Sequence, residues 1–279
     1  MTTHAMQHIT QHLDGIVMLP ELRQLLLRML EHEELDYSHA KIIPKLQAII
    51  VGTADANQDL ALAWNLLTVF ASRVDQLQDN DPEPNELLET LPVAIQWHLL
   101  ITLYVLVTNI LSSLLETYPA PRVARLQKFW SETVLRKSSG QLRDLLAMNG
   151  MYNDITLEKY QETVQCKTGS SFALAFGSVA ILSSDDENFI CTLINIGEIM
   201  GTLLQYSDDF GDYQSQSDHP LTLPNILKQA FPETDIEQAS GNIWHLLYTE
   251  YAVRLDAEAK KLPDEVEDRV RVLFTSMFS

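Results

Sequence analysis

The chain has 279 residues, of which 46% are hydrophobic and 20% are charged, a composition that suits a globular protein with a large core. Lys and Arg together number 19, Asp and Glu together number 38, and the formal net charge is -19. This charge opposes binding to nucleic acid and to anionic lipid, because both need basic patches that meet phosphates.

The N-terminal segment carries histidines at a helical spacing. His4, His8 and His12 recur every four residues and share one helical face. They could bind Zn²⁺, but no further ligand is evident in the sequence, so a terminal amphipathic helix is the favoured interpretation.

The N-terminal segment lacks the basic and apolar regions of a secretory signal, and the two cysteines of the chain suggest no disulfide framework. We expect a cytoplasmic protein.

Helical periodicity covers nearly the whole chain. Apolar residues recur at spacings of three and four in the segments 22–32, 58–77, 91–115, 122–135, 156–165, 188–207, 223–231 and 240–254. The sequence has no strong alternating strand pattern bounded by hairpin turns. The clusters of turn residues between the segments are too short for domain linkers. The sequence predicts one all-α domain over residues 1–279, with about ten helices.

The segment 91–115 contains no Asp, Glu, Lys or Arg and is long enough to span a membrane. Polar residues such as Gln96, His98 and Asn109 interrupt it, and no basic flank orients it. We therefore expect the buried central helix of a large helical domain and no membrane span.

Two carboxylates lie at the end of the helical pattern of segment 58–77. Asp75 and Asp79 are four residues apart on one helical face, and Ala71 lies one turn before them. Hard oxygen ligands of this kind suit Mg²⁺, which often binds beside substrate phosphates. Acidic residues at helix ends are usually solvated, so this pair alone is weak evidence for a metal site.

A second acidic edge follows the segment 188–207. Gly197, Gly201, Gln205, Asp208 and Asp212 fall on one helical stripe. Because glycine lowers helix propensity, the two glycines need another reason, such as close approach of a neighbouring helix or of a ligand. Two facing acidic edges could hold several Mg²⁺ ions around one diphosphate.

Five stretches of the sequence resemble motifs of the class I isoprenoid synthase family, of the trans-polyprenyl synthetase type. They follow one another along the chain in the order that the family has. "LLQYSDDFGDYQ" is similar to the second aspartate-rich motif of the family, and "FASRVDQLQDND" occupies the place of the first. "KTGSSFALAFGSVAIL" resembles the family's Lys-Thr-Gly segment, and "LTLPNIL" its Thr-Leu-Pro. "SSGQLRDLLAMNGMYNDITLEKYQETVQCKTG" resembles the GQxxDL stretch and the T-x-E-x-Y helix. The resemblance spans residues 38–230.

The resemblance implies the isoprenoid synthase fold, a single large helical bundle around a deep apolar cavity. It implies that Asp75 and Asp79 hold two Mg²⁺ ions and that Asp208, with Asp209 and Asp212, serves a third. With Lys167, the residues Asp75, Asp79 and Asp208 form the implied catalytic set. The implied substrate-binding residues are Lys167, Thr168, Gln205, Phe70 and Ala71.

The sequence also departs from the family pattern. Gln76 replaces the second aspartate of the first motif, and "PEPNELLE" stands where the family has two arginines and a glycine. The start "HAKIIPK" keeps only Lys41 and Pro44 of a basic segment. The missing basic residues would hold a second diphosphate, so their loss argues against ordinary chain elongation.

We therefore expect a terpene synthase that ionises one allylic prenyl diphosphate and releases diphosphate. Three alternatives stay open. They are an isoprenyltransferase of the ComQ type that modifies a peptide acceptor, an enzyme that elongates a polyprenyl diphosphate, and a non-catalytic subunit of a heteromeric prenyl synthase. Homodimers are common in the family that the sequence resembles.

Overall fold

The computed structural model describes residues 4–31, 41–52, 57–79, 90–152, 155–211, 220–233 and 235–278. For four residues in these ranges, only the backbone is described: His4, Asp79, Glu237 and Gln238. All regular elements in the described ranges are helices, so the predicted all-α class is confirmed.

The chain divides into two compact units, Met1–Gln127 and Lys128–Ser279. The first unit contains α1 (His4–Asp14), α2 (Pro20–Glu31), α3 (Ile42–Ile50), α4 (Gln58–Asp79), α5 (Val93–Ser113), a 3₁₀ turn (Leu114–Glu116) and the start of α6 (Ala120–Met148). The second contains the rest of α6, α7 (Leu157–Val164), a π-helix (Gln165–Gly169), α8 (Ser170–Ser183), α9 (Glu187–Gly211), α10 (Leu223–Ala230), α11 (Ile236–Ala259) and α12 (Asp264–Phe278). The boundary falls inside α6, and the single domain over residues 1–279 stays a prediction.

Helix α5 is buried on one face only. Leu99, Leu103 and Ile110 are fully buried, whereas Ile101 and Val105 on the opposite face are more than half exposed. The expected buried helix is therefore buried along one face, and its other face is apolar and exposed.

Two described helices are long and apolar enough to cross a membrane by length and composition, Val93–Glu116 and Glu187–Gly211. The first has 44% of its most apolar window buried and the second 61%. Core helices of globular proteins pass the same test, so this finding is weak evidence for a membrane span.

In the second unit, helix α8 is buried along most of its length. Residues from Phe172 to Leu182 are all buried, because this helix is apolar around its whole circumference. The indole of Trp130 on α6 donates a hydrogen bond to the Ser178 hydroxyl at 2.7 Å, which satisfies a polar group inside this core.

Helix α9 packs closely on α8 and on the π-helix before it. A methyl group added at Gly201 would lie 2.7 Å from the carbonyl oxygen of Thr168, and one added at Gly197 would lie 2.6 Å from that of Phe172. The predicted glycine stripe thus serves the approach of a neighbouring helix backbone.

Candidate active site

Asp208 and Asp209 occupy the end of α9 in different surroundings. Asp208 is exposed, whereas Asp209 is only 6% exposed. Successive residues on a helix point about 100° apart, so one carboxylate meets solvent while its neighbour meets the core. Asp212, the third predicted metal ligand on this edge, lies outside the described residues.

The buried carboxylate of Asp209 accepts hydrogen bonds from three elements. The Tyr160 hydroxyl on α7 donates to its Oδ2 at 2.5 Å, and the backbone N–H of Leu223, the first residue of α10, donates to Oδ2 at 2.7 Å. The Gln205 amide, one turn earlier on α9, donates to Oδ1 at 2.8 Å. These contacts hold the end of α9 against α7 and α10, and the metal role of Asp209 stays a prediction.

Burial also changes the acidity of the tyrosines beside Asp209. Burial above all, and then the negative charge of Asp209, raise the pKa of Tyr160 well above its usual value. Burial and the neighbouring hydroxyl of Tyr251 raise the pKa of Tyr206. The rings of Tyr160 and Tyr206 stack with centroids 5.8 Å apart, and the hydroxyls of Tyr206 and Tyr251 lie 3.3 Å apart. Both Tyr160 and Tyr206 are therefore neutral hydrogen-bonding groups at neutral pH.

Lys167 lies on the π-helix and forms an ion pair with a buried carboxylate. Its Nζ is 2.6 Å from Oδ2 of Asp144 on α6, a residue that is 7% exposed. One turn earlier on α6, a methyl group added at Gly140 would lie 2.7 Å from the backbone nitrogen of Lys167. The glycine admits the π-helix and the aspartate fixes the ammonium group, which gives the two residues of the GQxxDL stretch a joint structural role.

Thr168 and Gln205 connect this ion pair to the end of α9. The Thr168 hydroxyl donates a hydrogen bond to Gln205 Oε1 at 2.5 Å, and the Gln205 amide nitrogen donates in turn to Asp209. Gln205 is therefore held at both ends of its amide. π-Helical turns frequently occur at functional sites, and this one carries two of the predicted substrate-binding residues.

The other predicted residues belong to the first unit. Asp75 is half-buried near the end of α4, as are Phe70 and Ala71 one turn earlier. The ring of Phe70 lies 5.3 Å from that of Tyr104 on α5. The described part of α4 includes the backbone of Asp79 but not its side chain, so the first carboxylate pair is described only at Asp75.

Two residues of the second unit have roles that the sequence did not reveal. Asp144 and Tyr160 both lie in quoted motifs, as the aspartate of GQxxDL and the tyrosine of T-x-E-x-Y. Their partners, Lys167 and Asp209, are 23 and 49 residues away in the chain. The motif positions were a usable signal, but only the fold supplies the partners.

The sequence and the fold are both similar to those of known proteins. The sequence model of the polyprenyl synthetase family matches residues 100–220. No curated protein matches the sequence. The structure is similar to a geranylgeranyl pyrophosphate synthetase from the archaeon Geoglobus acetivorans, with a TM-score of 0.77, 18% identity, and coverage of 99% of this chain and 95% of that one.

Two further solved structures are similar. The polyprenyl synthetase from Streptomyces coelicolor A3(2) gives a TM-score of 0.76 at 18% identity, over 99% of this chain and 96% of that one. The heptaprenyl diphosphate synthase from Staphylococcus aureus gives 0.70 at 19% identity, over 98% and 95%. The chain has the all-α isoprenoid synthase fold, and its resemblance to the polyprenyl synthetase type of class I isoprenoid synthases is confirmed.

Proposed function

We propose that this protein is an enzyme that ionises an allylic prenyl diphosphate and transfers the prenyl group to an acceptor. The observation that supports transfer best is the similarity, over nearly the full length of both chains, to three synthases whose names describe prenyl diphosphate or polyprenyl synthesis. That observation favours prenyl transfer over the terpene synthase predicted from the sequence.

The reaction begins with heterolysis of the bond between the allylic carbon and the diphosphate oxygen, and the bonding electrons leave with diphosphate. The resulting carbocation is attacked by the double bond of an acceptor such as isopentenyl diphosphate, and the adduct then loses a proton. Lys167, whose ammonium group Asp144 fixes, contacts the leaving diphosphate in this proposal. Gln205 and Thr168 hold each other in place beside it.

The carboxylates fit Mg²⁺ to different degrees. Asp208 is exposed and Asp75 is half-buried, so both oxygen ligands can reach a hydrated ion. With Asp79 and Asp212, they are the proposed ligands of three ions. Asp209, the remaining predicted ligand, already accepts three hydrogen bonds, which position the end of α9. When bound, Mg²⁺ neutralises charge that develops on the leaving diphosphate.

A terpene synthase is the second candidate. The stretch "PEPNELLE" and the incomplete segment "HAKIIPK" lack basic residues that a second diphosphate would need, and Gln76 replaces an aspartate of the first motif. An enzyme without that second site would cyclise or hydrolyse its single substrate, or would transfer the prenyl group to an uncharged acceptor such as a peptide.

Product analysis tests the proposal. Purified protein is incubated with Mg²⁺ and geranyl, farnesyl or geranylgeranyl diphosphate, each with and without isopentenyl diphosphate, and products are identified by mass spectrometry. A longer diphosphate formed only with isopentenyl diphosphate is the expected result. A hydrocarbon or alcohol released without it would overturn transfer in favour of the terpene synthase.

Matched variants separate ionisation from background hydrolysis. Asp208→Asn, at the candidate site, should abolish turnover, whereas Asp185→Asn, an exposed carboxylate before the start of α9, should leave it unchanged. Chelation of Mg²⁺ should have the same effect as Asp208→Asn. Equal turnover by Asp208→Asn and the wild type would contradict the assignment of the site, and no turnover in any tube would favour a non-catalytic subunit.

We also propose that the enzyme is a cytoplasmic homodimer. Both cysteines are free thiols, Cys191 being exposed, as expected in a reducing compartment. Helix α5 leaves Ile101 and Val105 exposed on an apolar face that a second copy of the chain could cover.

A further inference from the structure

The first unit contains a cluster of metal-ligating side chains that prenyl transfer does not use. His8 and His12 lie four residues apart on α1, and Asp59 lies in the first turn of α4. Nε2 of each histidine is 3.0 Å from the same oxygen of Asp59, Oδ1. The three ligand atoms lie within 4.8 Å of one another, so the fold brings together residues that are 47 positions apart in the chain.

The spacing of the donor atoms fits a small ion. Bonds of about 2.0–2.1 Å to a tetrahedral Zn²⁺ place its ligand atoms about 3.3 Å apart. The two nitrogen–oxygen separations are already within a few tenths of an ångström of that value. The histidine side chains are 16% and 15% exposed, so surrounding atoms restrict their rotamers while one side stays open to solvent.

The carboxylate is oriented for this cluster rather than for its own helix. Asn57 Oδ1 accepts the hydrogen bond from the Leu60 N–H, so Asn57 caps the start of α4. Asp59 instead directs Oδ1 at the histidines, while the Ser113 hydroxyl on α5 donates to Oδ2 at 3.0 Å. A hydrogen bond to the outer oxygen of a ligating carboxylate is a common way to fix such a ligand.

We propose that His8, His12 and Asp59 bind one Zn²⁺ ion that ties α1 to α4. Two imidazoles and a carboxylate are a common zinc donor set, and imidazole is a ligand that suits Zn²⁺. The residue after His8 is the fully buried Ile9, where zinc hydrolases with an H-E-x-x-H helix carry their general base. The cluster lacks that general base, so a bound ion would tie the two helices together, and three protein ligands would leave its fourth position to solvent.

Zinc binding is measured on the full-length, untagged protein. Equilibrium dialysis against Zn²⁺ in excess Mg²⁺ keeps hard oxygen sites filled, so it reports on the histidine site. We expect one Zn²⁺ per chain in the wild type. Co²⁺ in the same site should give the visible absorption bands of a tetrahedral complex.

The variants remove a ligand, the charge of a ligand or a supporting hydroxyl group. His12→Ala removes a ligand, and Asp59→Asn removes the charge but keeps an oxygen that can accept from the histidines. Both should weaken Zn²⁺ binding by more than the roughly 10–100-fold that loss of a supporting residue causes, whereas Ser113→Ala should fall within that range. His98→Ala, on the exposed side of α5, should bind as the wild type does.

Circular dichroism establishes that each variant is folded before its affinity is compared. Equal Zn²⁺ affinity in the wild type, His12→Ala and Asp59→Asn would overturn the proposal, as would no binding by the wild type. Tighter binding of Fe²⁺ than of Zn²⁺ would overturn the choice of metal. Metal binding is measured without any prenyl diphosphate, so a failure of the proposed transfer reaction leaves this result interpretable.

Discussion

Asp209 is a buried charge whose environment decides its role. Moving a carboxylate out of water costs several kcal/mol unless hydrogen bonds replace the lost solvent. Tyr160, Gln205 and the N–H of Leu223 supply three donors. The exposed Asp208 beside it meets solvent and has no such cost. Two adjacent aspartates of one motif therefore lie in different environments, and Asp209 is the one that positions the end of α9.

Replacing the Tyr160 hydroxyl tests the positioning role. Tyr160→Phe leaves the ring packing but removes a hydrogen bond to a charged acceptor, so it should lower the free energy of unfolding by about 1.5–3 kcal/mol. Urea unfolding measures this change. Tyr248→Phe is the matched control, because its half-buried ring packs against Phe274. Equal stabilities of the two variants would contradict the role given to Tyr160.

The tyrosine cluster also predicts instability at alkaline pH. Burial above all raises the folded-state pKa values of Tyr160 and Tyr206 above the unfolded value of about 10. Below about pH 10, the folded and the unfolded chain both keep these protons, so the two tyrosines do not make the free energy of unfolding depend on pH. Above that pH the unfolded chain loses protons that the folded chain keeps, so stability falls by about 1.4 kcal/mol per pH unit for each group.

Urea unfolding between about pH 8 and 11 checks this titration. The wild type should lose stability above about pH 10, and Tyr160→Phe should lose it with a slope smaller by one proton. A slope that is identical in the wild type and in Tyr160→Phe would show that the Tyr160 hydroxyl does not carry the effect.

At the scale of elements, the π-helix depends on the surface of α6 that faces it. Gly140 has no side chain, and a methyl group there would lie 2.7 Å from the Lys167 nitrogen and 2.9 Å from Cys166 Cβ. Because the first of these is a backbone atom, the π-helix would have to move. That movement would shift Lys167 away from Asp144.

Gly140→Ala should therefore destabilise the protein by about 1–3 kcal/mol, the usual cost of overpacking, and lower kcat for prenyl transfer. Gly241→Ala on α11 is the matched control, because nothing lies within 4 Å of its added methyl group. There alanine should stabilise the helix by up to about 1 kcal/mol. Thermal unfolding compares the two, and a neutral Gly140→Ala would refute the close packing described for α6.

At the scale of the whole molecule, the exposed face of α5 predicts self-association. Ile101→Lys and Val105→Lys place charges on that face without touching the buried Leu99 and Leu103. If this face forms a homodimer, either variant should convert it to a folded monomer, as light scattering coupled to size-exclusion chromatography would show. Val253→Lys, an exposed apolar position on α11, should leave the mass unchanged. A monomeric wild type would refute the homodimer.

Much of the helical architecture could be predicted because it depends on local sequence patterns, such as apolar residues at helical spacing. The apolar segment 167–182 becomes the π-helix and α8, and the glycine stripe becomes a close helix contact. The pairing of Lys167 with Asp144 could not be predicted, since it depends on how α6 packs. For the same reason, the spacing of His8 and His12 was visible, whereas the convergence of Asp59 on them was not.

The hydrogen bond from Leu223 to Asp209 makes the end of one helix the cap of the next. Thr222, at the N-cap of α10, makes no side-chain cap of its own, so the carboxylate on α9 accepts from the first N–H of α10. A capping side chain contributes about 0.5–2 kcal/mol to the helix that it caps. A substitution that removes the Asp209 carboxylate should therefore loosen the start of α10 together with the end of α9, so the order of the two helices is coupled through one side chain.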